Sequence, residues 1–324
     1  MTPTKSMRTE FFFWPYGLLN NSYVSEMKVE SIYPTDWTGF PGSKQPLETQ
    51  WIKWRSDTLQ IINELLWPAW DPKTRQWVGT SRQRMLQLTL TDFALLGHLQ
   101  QQKPMALDHQ INSPVPGRST HRELFKLEDA TASNFGTYFN EYDPDLPPLL
   151  VQRLPRLVLA GFAAKSLNTD LQIKEVLERP RAYQVALLLG HDNYFYLPAT
   201  SADTPSMCSG HCMEGLLAVG AAMERFLLNK EKIASSSWTA LEQYAADIGD
   251  RRVMAGVHYP SDSLCSWLIT MRLANHVYSV PAVKQKLWMA IQRSFIFQTM
   301  VYWMKKGKGE IYKPAFKALE HAAK

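Results

Sequence analysis

The sequence predicts an all-α chain, on two observations. From residue 148 to residue 306, apolar positions recur at helical spacing in one segment after another. No run alternates apolar and polar residues strongly enough to require a sheet. The size fits one large domain: 324 residues, 45% of them hydrophobic, supply a sizeable core. Residues 1–324 are therefore read as a single α-helical domain.

Taken in order, residues 1–45 mix Pro, Gly, Asn and aromatics without a sustained period, and read as an irregular N-terminal segment. Phe11-Phe12-Phe13-Trp14-Pro15 is too short for a signal-sequence core or a membrane span, and Glu10 interrupts its approach. Residues 47–67 read as a helix, with Trp51, Trp54, Leu59, Ile62, Leu65 and Leu66 on a broad apolar side. A turn region runs from Pro68 to Thr80, and Ser81 caps a second helix over 82–101. Residues 102–148 are rich in Pro and Asp and exceed an ordinary connection. They read as a long binding loop or lid, with partial disorder as the alternative.

Helices are then predicted over 149–167, 170–189, 210–229, 236–248, 259–278 and 281–306. Pro180 predicts a kink in the second of these. On the last, Trp288, Phe295, Phe297, Tyr302 and Trp303 read as core rather than as a stacking platform.

Composition narrows the function classes. The net charge of +5 is mild, and no basic run with interleaved aromatics occurs, which excludes a nucleic-acid partner. A slight positive excess suits an anionic substrate. No charge-free apolar run reaches roughly 18 residues, so no transmembrane segment is expected. A soluble protein follows, cytoplasmic rather than periplasmic because no signal peptide is evident. The three cysteines, Cys208, Cys212 and Cys265, form no disulfide framework and no zinc spacing, and read as free thiols. Two flank one of the stretches below and the third follows another, so they are expected to gather near one site.

Three stretches carry chemistry. In Asp250–Asp262, five residues separate Arg252 from His258 and three separate His258 from Asp262. Entering a helix, His258 and Asp262 face the same way at i, i+4. An Asp there accepts from Nδ1 of the His, fixes its tautomer, and leaves Nε2 as a lone pair. Arg252 adds a fork suited to phosphate oxygens. A buried ion pair beside a turn is the bland alternative. The second stretch is Cys208-Ser209-Gly210-His211, at the head of an apolar helix. A Ser cap there presents a hydroxyl and backbone N–H groups to an anion, with His211 above it. The third is Lys174 to Arg181, seven apart, so that both cations project from one face of a helix. Asp250 is read as a cap or as a partner of Arg251 or Arg252, and Glu214 as solvent-facing.

Together and in this order the stretches resemble the signature of the type 2 phosphatidic acid phosphatase superfamily. That superfamily includes class A bacterial acid phosphatases, membrane lipid phosphatases and vanadium-dependent haloperoxidases. Its pattern is Lys, six residues, Arg-Pro; then Pro-Ser-Gly-His; then Ser-Arg, five residues, His, three residues, Asp. The chain keeps Lys174 and Arg181 with Ala182 for Pro, Ser209-Gly210-His211 with Cys208 for Pro, and Arg252, His258 and Asp262 with Arg251 for Ser. An alternative frame of the first element keeps Arg179-Pro180 but puts Gln172 at the lysine position. The resemblance covers roughly residues 174–265, within a catalytic region at 170–280.

The resemblance implies a helical bundle of the acid phosphatase/vanadium haloperoxidase type, with the site at one end. It implies an acid phosphatase-like phosphoric monoester hydrolase, or a phosphotransferase, acting through a phosphohistidine without metal or other cofactor. His258 is the implied nucleophile, Asp262 its orienter and His211 the acid and base. Lys174, Arg181, Arg252, Ser209 and Gly210 are the implied phosphate ligands. The substrate would be a phosphorylated small molecule or a lipid-derived one. Two alternatives stay open. A vanadium-dependent haloperoxidase would use the same cage with vanadate as cofactor and His258 as its ligand. A non-catalytic phosphate or phospholipid binder would need only the cations. The short interval from His211 to Arg252, and no second histidine close after His211, lean towards a phosphatase.

Overall fold

The computed structural model describes residues 206–324 without interruption, the backbone of residues 81–102, and single positions within 57–77 and 173–185. The expected irregular segment at 1–45, the loop at 102–148 and the helix at 149–167 lie outside the described residues. Among those described, structure is helical except for one small antiparallel ribbon, β1 (Trp70–Asp71) with β2 (Gln76–Trp77). The helices are α1 (Ser81–Gln102), α2 (Gly210–Leu228), α3 (Ser235–Met254), α4 (Pro260–Val277), α5 (Pro281–Arg293), α6 (Phe295–Lys305) and α7 (Lys313–Ala323). The all-α expectation holds. Described positions between 57 and 65 are helical as well, and Ile62 and Leu66 are buried as their period predicts.

Close packing of α2 on α3 sets the end of the bundle that matters. A Cβ on Gly215 would lie 2.9 Å from Ile248 Cδ1, and one on Gly249 would lie 2.7 Å from Cys212 Sγ. Glycine at both places lets the two backbones approach, and the pairing runs antiparallel. The first turn of α2 is therefore level with the last turns of α3. Gly256, at φ 73°, then turns the chain after α3 in the left-handed conformation that glycine adopts without strain. Within a few residues α4 begins at Pro260. The start of α2, the end of α3 and the start of α4 share one end.

Three boundaries depart from the sequence reading. Helix α3 runs on to Met254 instead of stopping at 248. Its last turns bury Asp250, Arg251 and Arg252, so the apolar period ends before the helix does. The helix expected over 281–306 is two helices, broken at Ser294. Ser294 caps α6 by accepting from Phe297 N at 3.1 Å, and its hydroxyl donates to Asp250 Oδ1 at 2.6 Å. Asp250 also accepts from Phe295 N at 2.6 Å. Asp250 thus caps α6 from a neighbouring helix, rather than serving Arg251 or Arg252. Helix α7 was not anticipated; Ala315, Phe316 and Leu319 are its buried positions.

The aromatic expectation holds in part. Phe297 meets Trp267, Trp288 and Phe316 with ring centroids 5.6, 5.7 and 5.3 Å apart. Tyr302 is instead 52% exposed.

Burial, reinforced by Asp247, pushes the Asp250 carboxyl up to about 8 against the bonds from Ser294 and Phe295. The folded chain then holds this proton more tightly than the unfolded chain, where the group titrates near about 4. Its stabilising contribution is full below that unfolded value and is lost as pH rises through about 8. The melting temperature is expected to fall between roughly pH 4 and 8, and to fall less in Asp250→Asn, which keeps the shape but cannot titrate. Thermal unfolding followed by circular dichroism measures both, and equal slopes would contradict this role for Asp250.

Candidate active site

Asp262 stands in the first turn of α4 and is fully buried. It reaches back to accept from Tyr259 N through Oδ2 at 2.9 Å, which satisfies a backbone donor at the helix start. The same oxygen lies 3.1 Å from His258 Nδ1, at the i, i+4 spacing the sequence suggested. It also accepts a short hydrogen bond from the Ser206 hydroxyl. The other oxygen, Oδ1, accepts from Arg179 Nη1 at 2.8 Å.

The second stretch is tied to the same helix. Ser209 caps α2, accepting from Cys212 N at 3.4 Å. Its own N–H donates to the Asp262 carbonyl at 3.4 Å. Ser266, one turn further along α4, donates to the carbonyls of both Ser209 and Asp262 at 2.8 and 2.9 Å. Gly210 is the first residue of α2 and His211 the second; Gly210 is buried and His211 half-buried.

The first stretch arrives with a correction. Described positions 173, 174, 182 and 185 are helical, but Arg179 and Arg181 are not. The expected helix over 170–189 is interrupted around Pro180, beyond a simple kink. Proline disfavours helical geometry in the residue before it, which is Arg179. Lys174 and Arg181 therefore do not share a helix face. Arg181 is nevertheless delivered to the site, with Nη1 2.8 Å from His258 Nε2 and 3.1 Å from the Val257 carbonyl. Lys174 is buried and close enough to act electrostatically on His258.

Arg179, from the alternative frame, has a different task. Besides Asp262 it donates from Nη1 to the Ser261 hydroxyl at 2.7 Å and from Nη2 to Asp92 Oδ2 at 2.8 Å. Its central carbon lies over the Tyr259 ring, 3.8 Å from the centroid. Asp92 also accepts from Ser261 N, the Ser261 hydroxyl and, at 2.7 Å, the Tyr312 hydroxyl. The sequence reading missed Asp92. Its signal was a carboxylate on the buried face of α1, among Leu88, Leu95, Leu96 and Leu99.

The electrostatics divide the pair. Burial raises the Asp262 carboxyl, but Arg179 and the bond with His258 outweigh it and hold the group at about 2. Asp262 is a carboxylate at any working pH. Burial and then Arg181 push His258 well below its ordinary value, with Lys174 adding to them and Asp262 opposing. His258 is neutral. Nδ1 carries the hydrogen that Asp262 accepts, and Nε2 carries the lone pair facing Arg181. Arg252 is fully buried near the end of α3, and its carbonyl accepts from Val257 N at 3.2 Å just before His258.

The cysteines gather as expected, all buried and free. Burial raises Cys212, with Asp250 and Cys208 reinforcing it, and raises Cys265 beside Cys208, so neither of these two is an activated thiol. Among the described residues no group of His, Cys, Asp and Glu has the arrangement of a metal site.

Residues 156–286 match the family model described as the PAP2 superfamily. That segment is similar to the PAP2 superfamily, the family that the three stretches resemble. Neither a curated protein nor a solved structure matches the chain. PAP2 proteins are generally phosphatases and related hydrolases of phosphorylated substrates. The PAP2 segment contains all three stretches, whereas Asp92 and Tyr312 lie outside it. No helix among the described residues is long and apolar enough to cross a membrane.

Removing Arg179 would leave two carboxylates buried without the guanidinium that bridges them. Arg179→Ala is expected to lose ~3–5 kcal/mol of unfolding free energy, the usual result of breaking a buried pair from one side. Urea unfolding measures it. A loss within the range of an exposed pair, under about 1 kcal/mol, would contradict the bridge.

Proposed function

We propose that this protein is a metal-independent phosphatase that hydrolyses phosphomonoesters through a phosphohistidine at His258. One observation carries the reading. His258 is neutral and buried, its Nδ1 is bonded to a permanent carboxylate, and its Nε2 lone pair points at Arg181 in the field of Lys174. That is how a nitrogen nucleophile for an anion is prepared: oriented on one side, and surrounded by positive charge on the other.

Arg181 covers Nε2 at 2.8 Å. A phosphate group entering the site attracts the guanidinium to its oxygens and uncovers the lone pair. Nε2 then attacks phosphorus, the ester P–O bond breaks, and His211 gives its proton to the leaving oxygen. Asp262 offsets the positive charge that forms on the imidazole. In the second step His211 removes a proton from water, the water oxygen attacks phosphorus, and the P–N bond breaks to release inorganic phosphate. Lys174, Arg181 and Arg252 hold the phosphoryl oxygens, with the Ser209 hydroxyl and the Gly210 N–H at the start of α2. Phosphoryl transfer needs mainly positioning and charge stabilisation, which a cage of cations supplies. The substrates that suit this cage are phosphorylated small molecules, including lipid-derived ones.

With nitrophenyl phosphate, turnover is expected to survive a chelator and to be inhibited by vanadate. His258→Ala should abolish it while most anion affinity remains. His211→Ala should still form phosphohistidine, because nitrophenolate leaves without a proton, and should accumulate it; general acid–base help is worth about 10²–10⁴ in rate. Rapid quench with labelled substrate, followed by mapping of the acid-labile phosphate, reads these outcomes. Turnover that needs added zinc or magnesium, phosphate on another residue, or halide oxidation by the vanadate-loaded protein without phosphoester turnover would each contradict the reading.

A further inference from the structure

We propose that Asp92 is a positioning residue for the reaction at His258, and that by anchoring Arg179 it keeps one oxygen of Asp262 for the histidine. The inference rests on the reading of His258 as the nucleophile and deepens it, with a residue from outside the PAP2 segment.

The argument begins with the geometry of a guanidinium. Arginine meets a carboxylate best with two parallel N–H bonds to its two oxygens. Arg179 and Asp262 do not adopt that arrangement. Nη1 goes to Asp262 Oδ1 at 2.8 Å, and Nη2 goes to Asp92 Oδ2, also at 2.8 Å. The fork is split between two buried carboxylates. Asp262 Oδ2 is thereby left to the N–H of Tyr259 at 2.9 Å and Nδ1 of His258 at 3.1 Å, together with the Ser206 hydroxyl.

The Tyr259 ring restricts how Arg179 could do otherwise. With its central carbon 3.8 Å from the ring centroid, the guanidinium lies against a face. The ring blocks movement towards it and leaves rotation over its face as the freer motion. That rotation would carry Nη2 away from Asp92 and towards Asp262. The resulting two-bonded pair would compete with His258 Nδ1 for Oδ2. The charge of Asp92 opposes the rotation, and Asp92 is itself held by Tyr312 at 2.7 Å and by Ser261 N at 3.1 Å. Its task is to divide the fork.

A merely structural Asp92, tying α1 to the start of α4, would produce different results. Asp92→Asn keeps the shape and loses the charge. Its kcat on nitrophenyl phosphate is expected to fall about 10–100-fold, the usual effect of losing the outer partner of a ligand histidine. KM should be unchanged, because Lys174, Arg181 and Arg252 are untouched. In an Asp262→Asn background the same substitution should have no further effect on kcat, because its route to His258 is already cut. Nitrogen-15 spectra of histidine-labelled protein should show His258 protonated on Nδ1 in the wild type and as a mixture of tautomers in Asp92→Asn. Tyr312→Phe loosens Asp92 without removing it, and should move kcat and the spectrum less but in the same direction; it also serves if Asp92→Asn does not fold.

An unchanged His258 tautomer in the folded variants, or losses that add in the double mutant, would overturn the proposal. If the wild type turned over no phosphoester, the phosphatase reading would fail. The spectra would still decide the role of Asp92.

Discussion

The ion pair between Arg179 and Asp262 is the constraint on which the rest of the site depends. Both side chains are fully buried, and a lone buried charge is costly enough that neither could stay without the other. The pair joins segments distant in sequence. Arg179 belongs to the break around Pro180, and its carbonyl accepts from Ser206 N at 2.7 Å, which ties that break to the segment leading into α2. Asp262 opens α4 and binds Ser206 and Ser209 through its side chain and backbone. The three stretches are thus held together through one residue, Asp262, before any substrate is present.

The same carboxylate sets the chemistry. Arg179 keeps it ionised, and an ionised Asp262 fixes the His258 tautomer with Nδ1 as donor. Arg181 then places positive charge at Nε2, and Lys174 adds its field to that of Arg181 on His258. Burial contributes to both effects, since charges removed from water act on each other more strongly. The division of labour between neighbouring arginines follows from the interruption at Pro180. Arg179 turns to the carboxylates of Asp262 and Asp92, and Arg181 turns to Nε2 of His258.

Much of this was legible in the sequence wherever the interaction was local. The i, i+4 spacing of His258 and Asp262 gave their contact, and Ser209 was readable as the cap of α2, because both depend on a few consecutive residues at a helix start. The existence of α1, α2 and α4 followed from their apolar periods. The choice between Arg179 and Arg181 was not legible, because a single helical face was assumed where Pro180 interrupts the helix, and both arginines prove to be used. Asp92 could not be assigned a partner, since its contacts with Arg179, Ser261 and Tyr312 span 87, 169 and 220 residues. The break at Ser294 was hidden for a related reason. Serine is tolerated within helices, and what makes it a cap here is Asp250, 44 residues away.

The most direct measurement of the central claim is a crystal structure of the protein with tungstate bound. The account predicts the metal atom of the oxyanion bonded to His258 Nε2, with Nδ1 still on Asp262 and Arg179 still dividing its fork between Asp262 and Asp92. Arg181 should have moved from Nε2 to an oxygen of the anion, joined there by Lys174 and Arg252. An anion bound away from His258, or a His258 turned off Asp262 to receive it, would contradict the account.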